Sequence, residues 1–240
     1  MNILFLADCM AIGPDHLNKS DLYPYLVKEF IEVNYGEDAD IEIIPGSGET
    51  TLEALTKLAS ITNSNRKYDL IFFAYGINDG LPRGIQRSTR GKIIRAMYKL
   101  KFSEKLRLLA RAYFLNPLEF VMQYLRKPIF YNDKVGFIKN TIHVLNEMQK
   151  ISSGKVIYIS INPILNYRFV KGNSYLKTYN DEIIRTLSDT KFRVVDVFSL
   201  FLIDKLESFL DVDKFHYSSL GHEIVANAIC EVLEKHFNEK

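Results

Sequence analysis

Two kinds of apolar pattern alternate along this chain. NILFLA (2–7), DLIFFAYG (69–76) and KVIYISI (155–161) are continuous apolar runs with no polar alternation. Each predicts a strand buried on both faces. IEII (41–44), closed by Pro45-Gly46-Ser47-Gly48, and FRVVDV (192–197) predict two shorter strands. Between the runs the spacing becomes helical. DLYPYLVKEFIEVNYG after Ser20 predicts a capped helix with Pro24 in its first turn and Gly36 at its end. TTLEALTKLASIT (50–62) places 52, 55, 58 and 59 on one face, and YLKTYNDEIIRTLSD and SLGHEIVANAICEVLEKHF predict two more helices. Strands alternating with helices imply a three-layer α/β/α fold around a central parallel sheet. In such sheets the ligand site lies at the carboxyl ends of the strands.

Residues 81–130 break the alternation with basic and apolar residues at helical spacing. We expect one domain over 1–240, with two or three helices inserted at about 81–130 as a cap over the strand ends. Charge sharpens the interest of this insert. Residues 81–127 hold twelve Lys/Arg against two Asp/Glu, a net of +10, within a chain whose net charge is only +2. Such asymmetry concerns partners rather than fold. It suits an anionic small-molecule, glycan or lipid substrate, or peripheral contact with an anionic membrane through 81–127. A basic helical hairpin packed on the body gives the same composition. No motif points to nucleic acid, and none is expected as a partner.

Composition is that of a globular protein, 47% hydrophobic and 25% charged. Two distant cysteines, Cys9 and Cys230, make no disulfide scaffold, and no C-x-x-C pair suggests a metal site. No apolar run approaches the ~20 residues of a membrane span, and Asn2–Ala7 is too short for a signal peptide. The default expectation is a cytoplasmic location.

Candidate chemistry gathers at the strand ends. Asp8-Cys9 follows the first run and Gly48 lies in the SGETT loop after the second strand. Gly76-Ile77-Asn78-Asp79 follows the third, and Asp213-Lys214-Phe215-His216 precedes the last helix. In this order the four blocks resemble those of the SGNH hydrolases, also called GDSL esterases and lipases. The resemblance spans nearly the whole chain except 81–130. It implies a flavodoxin-like fold, acyl-ester chemistry, and no metal or redox cofactor. The first block departs from the family: Ala7 stands for its glycine and Cys9 for its nucleophilic serine.

The resemblance assigns Cys9, His216 and Asp213 as nucleophile, base and orienting carboxylate. The same three types suffice chemically: a nucleophile needs a base in reach and a third group to orient it. The Cys9 and Gly48 backbone N–H groups and the Asn78 amide can serve a developing oxyanion. Gly48 is expected to be glycine so that backbone can approach substrate. A helix beginning at Cys9 would add positive potential. Asp8 is expected to accept a turn hydrogen bond, and Asp79 to brace the Asn78 loop. His222 is expected to pack or cap at the last helix, and Cys230 to be core. Several readings of Cys9 stay open: a natural nucleophile for hydrolysis, an acyltransferase using the same triad, a serine replaced by design, or a site that only binds.

Overall fold

The computed structural model of the chain describes residues 1–63, 66–99, 103–202 and 206–237. Five parallel strands form one sheet in the order β2-β1-β3-β4-β5: β1 (Asn2–Asp8), β2 (Asp40–Gly46), β3 (Tyr68–Ala74), β4 (Ser152–Ile159) and β5 (Arg193–Val195). The three continuous apolar runs become the adjacent central strands β1, β3 and β4. Residues 3–7 of β1 are fully buried, and Phe5 stacks on Phe72 of β3. Register decides where the site can be. Asp8 pairs with Gly46 and Ala7 with Ala74, so β1, β2 and β3 end level and release their loops at one edge of the sheet.

The helices are α1 (Tyr23–Tyr35), α2 (Thr51–Thr62), α3 (Ile77–Gly80), α4 (Arg87–Lys99), α5 (Glu104–Ala110), α6 (Asn116–Leu125), α7 (Lys134–Ile151), α8 (Gly172–Leu187), α9 (Val197–Leu202), α10 (Leu206–Phe209) and α11 (Ser219–Phe237). α1 packs with α11 on one side of the sheet; α2, α7 and α8 pack together on the other. The layers are those expected from the alternation of strands and helices.

Four details differ from the sequence expectation. Ser20 does not cap α1; it lies in a 3-10 turn over Lys19–Asp21, and the helix starts at Tyr23 with Pro24 in its first turn. The Tyr23 N–H instead donates to Nδ1 of buried His222, 3.2 Å away. FRVVDV yields a strand only over Arg193–Val195, because Asp196 accepts from the Ser199 N–H and hydroxyl and turns the chain into α9. No long helix begins at Cys9: Cys9–Ala11 form one 3-10 turn, followed by Gly13 in the left-handed region at φ 59 and then Pro14, which has no N–H to continue a helix. Finally, α7 fills a stretch for which the sequence reading assigned no element. Asp133 caps it through the Gly136 N–H at 2.7 Å, and Phe137, Thr141, Val144, Leu145 and Met148 form its buried stripe.

The insert contains α4, a π-helical turn over Arg111–Leu115 between α5 and α6, and those two helices; residues 100–102 lie outside the described residues. It is fastened to the body at Glu119 and Gln123. Gln123 donates to the Arg168 carbonyl at 2.7 Å and accepts from the Val170 N–H at 3.0 Å. Tyr113, Phe114, Tyr124 and Leu125 are exposed on the insert's outer side. Among the described residues, no helix is long and apolar enough to cross a membrane.

Candidate active site

The site begins where β1 stops. The Asp8 carboxylate accepts the Met10 N–H at 3.0 Å and folds the chain into the 3-10 turn that starts with Cys9. This is the turn role expected for Asp8. Cys9, a free thiol, is buried to 8% exposure yet lines a cavity of about 530 Å³. Gly48, Asn78, Arg83, Asp213 and His216 line the same cavity.

His216 reaches Cys9 from the loop before α11. Lys214 takes a left-handed conformation at φ 56 and turns that loop back on itself. One Asp213 carboxylate oxygen accepts the N–H groups of Phe215 and His216 at 2.9 and 3.0 Å. The other accepts from His216 Nδ1 at 2.6 Å. The loop is pinned from outside, where the Asn166 amide donates to the Asp213 carbonyl and the Leu165 N–H to the Lys214 carbonyl, both at 2.9 Å. With Nδ1 held by the carboxylate, Nε2 is the ring nitrogen left for the cavity. Burial depresses the imidazole, but the Asp213 bond and the nearby Cys9 sulfur outweigh it and push its pKa up to about 10. Burial also works against the Asp213 charge, yet the hydrogen bonds from His216 and the backbone bring that group down to about 2. At neutral pH this is an imidazolium held between a carboxylate and a sulfur. No long helix starts at Cys9, so the positive charge beside the sulfur is the imidazolium rather than a helix dipole.

Asn78 sits just past β3. Gly76 makes the turn at φ 140, where a side chain would strike Phe137 and Ile161. Asp79 braces this turn, as expected, by accepting from the Thr51 N–H at 3.0 Å, the Thr51 hydroxyl at 2.7 Å and the Asn132 amide at 2.9 Å. The tie welds the Asn78 turn to the start of α2. Burial raises Asp79 to about 6, with those hydrogen bonds opposing. The Asn78 oxygen accepts from Arg83 Nη2 at 3.0 Å, which fixes the amide. Its nitrogen is then buried with no hydrogen-bond partner among the described residues. A buried, oriented, unused donor is costly to keep unless something accepts from it.

Gly48 lies on the cavity wall at φ 67, and a Cβ there would meet nothing within 4 Å. Its left-handed backbone suits glycine, and the space above it is open to the cavity. His222 caps α1 and is pushed down to about 4, first by burial and then by the nearby His216 charge. Cys230 is buried on α11, as expected.

The sequence reading missed the arginines. Arg83, Arg90 and Arg168 all line the cavity. Arg83 is 5% exposed and lies between two rings, its guanidinium 4.8 Å from the centre of Tyr131 and 4.6 Å from that of Phe169. The +10 of 81–127 was visible as a sum. A summed charge does not say which cation turns inward.

The model of the family described as GDSL-like Lipase/Acylhydrolase matches residues 24–229. That span includes Gly48, Asn78, Asp213 and His216 and leaves out the Asp8-Cys9 block. No curated protein matches the chain. Among solved structures, TesA superposes with a TM-score of 0.64 at 14% identity, covering 98% of this chain and 99% of that one. The esterase EstA from Pseudoalteromonas sp. gives 0.61 at 15% identity over 99% and 98%. A catalytic mutant of Axe2, an acetylxylan esterase from Geobacillus stearothermophilus, gives 0.60 at 14% identity over 96% and 92%. At such identities the likeness concerns the fold.

Proposed function

Because the chain belongs to the GDSL-like lipase/acylhydrolase family, and so is an ester-bond hydrolase of the GDSL esterase/lipase type, we propose that it works through an acyl-Cys9 intermediate. The observation that carries this reading is His216, held by Asp213 at 2.6 Å through Nδ1 and lining the same cavity as Cys9.

In the proposed reaction the Cys9 thiolate attacks the ester carbonyl carbon. A C–S bond forms and the carbonyl electron pair moves to oxygen. The Asn78 nitrogen, with the Cys9 and Gly48 N–H groups, receives that oxyanion. Collapse breaks the ester C–O bond, and the leaving oxygen takes the proton of His216 Nε2. Water then gives a proton to His216 and attacks the thioester, and Cys9 leaves as thiolate. Asp213 holds the imidazole tautomer and stabilises its charged form throughout. Asp8 and Asp79 support the turns that carry Cys9 and Asn78.

The test is intact mass after brief treatment with p-nitrophenyl acetate. A +42 Da adduct on Cys9 (the acetyl increment, about 42 by composition) is expected in the wild type and absent in His216→Ala. A Cys9 that acetylates no faster than a model thiol at neutral pH, in wild type and variant alike, would leave a binding protein instead.

A further inference from the structure

The cavity wall holds more positive charge than the structure neutralises. Arg83 and Arg90 come from the insert side, and Arg168 from the loop after β4. One acidic group is shared between two of them: the fully buried Glu119 of α6, 3.2 Å from Arg168 Nη2 and 3.8 Å from Arg90 Nε. Glu119 is held in place by close backbone packing, because any side chain at Gly84 would run into its carbonyl. Arg83 spends one Nη on the Asn78 oxygen. The Nε atoms of all three arginines are buried without a hydrogen-bond partner among the described residues. The acid on the cavity wall itself, Asp213, is committed to His216. Three guanidiniums facing one carboxylate leave an excess of two positive charges beside the thiol.

A cation buried without counter-charge is expensive, and Arg83 is buried while the half-buried Arg90 and Arg168 share one carboxylate. A guanidinium's flat fork matches the oxygens of a carboxylate or phosphate better than any other cationic side chain does. We propose that Arg90 and Arg168, backed by Arg83, form a subsite for an anionic group, carboxylate or phosphate, carried by the substrate near its scissile ester. The substrate part of this statement rests on the acyl-Cys9 reading; the anion subsite does not. Arg83 links the two functions. It lies on the subsite wall and holds the oxygen of the Asn78 amide whose nitrogen is left without a partner among the described residues, so binding charge there and stabilising an oxyanion share one side chain.

The test has a binding arm and a turnover arm, both on the full chain. Glutarate and inorganic phosphate are titrated calorimetrically into wild type, the double variant Arg90→Gln/Arg168→Gln, that double variant combined with Glu119→Gln, and Glu119→Gln alone. The third protein guards against unfolding by an unpaired buried Glu119. Wild type is expected to bind one of the two anions at millimolar concentration or better, more weakly as salt rises; the tighter anion identifies the group. Both arginine variants should bind at least tenfold more weakly. Glu119→Gln alone should bind several-fold more tightly, whereas an arginine cluster present only to clamp Glu119 predicts no gain. In turnover, the ratio of kcat/KM for p-nitrophenyl hemiglutarate over p-nitrophenyl butyrate should exceed ten in wild type and fall toward one in the arginine variants. No anion binding by wild type at tens of millimolar, or binding indifferent to the arginines, overturns the subsite. Anion binding with neither ester turned over keeps the subsite and overturns the acyl-Cys9 reading. Turnover of both esters at a ratio near one does the reverse.

Discussion

Asn78 offers a sharp test, because its two side-chain atoms do different work. The oxygen is used by the fold: it accepts from buried Arg83 at 3.0 Å. The nitrogen is used by nothing in the described structure. Asn78→Ala removes both. Losing an acceptor for a charged donor costs about 1.5–3 kcal/mol, and for a chain of 240 residues that is roughly a 4–10 °C fall in Tm. Losing one oxyanion donor costs about 3–4 kcal/mol in the transition state, or about 10²–10³ in kcat. Asn78→Asp separates the two. It keeps an oxygen for Arg83, now as an ion pair, but puts a second carboxylate oxygen where the amide nitrogen stood. Stability should stay near wild type. Activity should fall below that of the alanine variant, since a negative oxygen now faces the developing one. The expected order is therefore wild type, Ala, Asp in kcat for p-nitrophenyl butyrate, and Asp level with wild type ahead of Ala in Tm. An aspartate variant that folds normally and keeps its rate within tenfold of wild type would refute the oxyanion assignment and with it the meaning we give to the unused nitrogen.

Three further outcomes follow from the same geometry. Asp213→Asn should let the His216 pKa fall from about 10 toward the ordinary imidazole range and cost roughly 10²–10⁴ in kcat/KM; an NMR titration of the ring that still centres near 10 would show the carboxylate to be irrelevant. Asp8 is pushed up to about 7, mainly by burial and against the Met10 N–H and the His216 charge, so the folded state keeps a proton that the unfolded chain has lost. Its contribution therefore destabilises the fold progressively as pH rises from about 4 to about 7. Relative to wild type, Asp8→Asn should gain stability over that window in urea denaturation, and a difference that is flat with pH would contradict this. Exposed Tyr113, Phe114, Tyr124 and Leu125 beside basic residues of 81–127 predict sedimentation with anionic vesicles that weakens with salt; no sedimentation at low salt would remove the membrane contact.

How much of this could be read from the residues depends on how local each cause is. The strands were legible because burial on both faces leaves a continuous apolar run, a property of consecutive residues. The Asp213–His216 pair was legible for the same reason: three positions apart in a loop, the carboxylate reaches both the ring and the backbone of its own turn. What stayed hidden has partners far away in sequence. α1 begins without a local cap because His222, 199 positions on, takes the Tyr23 N–H. The Asn78 turn is held by Thr51 and Asn132. Arg168 reads as an ordinary loop residue until Glu119 arrives beside it from the insert. The helix expected at Cys9 shrinks to one 3-10 turn because Gly13, in the left-handed region, and Pro14 end it.

That shortening bears on the chemistry. Had a long helix started at Cys9, its dipole would favour a thiolate whatever the ionisation of His216. With only a three-residue turn in its place, the positive charge near the sulfur comes from groups that can be substituted one at a time, first His216 and then the arginines of the wall. The two contributions part company with salt and with mutation. His216→Ala should slow Cys9 alkylation by iodoacetamide at pH 7 at any ionic strength, because a neighbouring charge within a largely buried site is barely screened. Arg90→Gln/Arg168→Gln should have a smaller effect, one that shrinks as salt rises. Equal losses in the two proteins would mean that the cavity's general field, and not the imidazole, sets the reactivity of the sulfur.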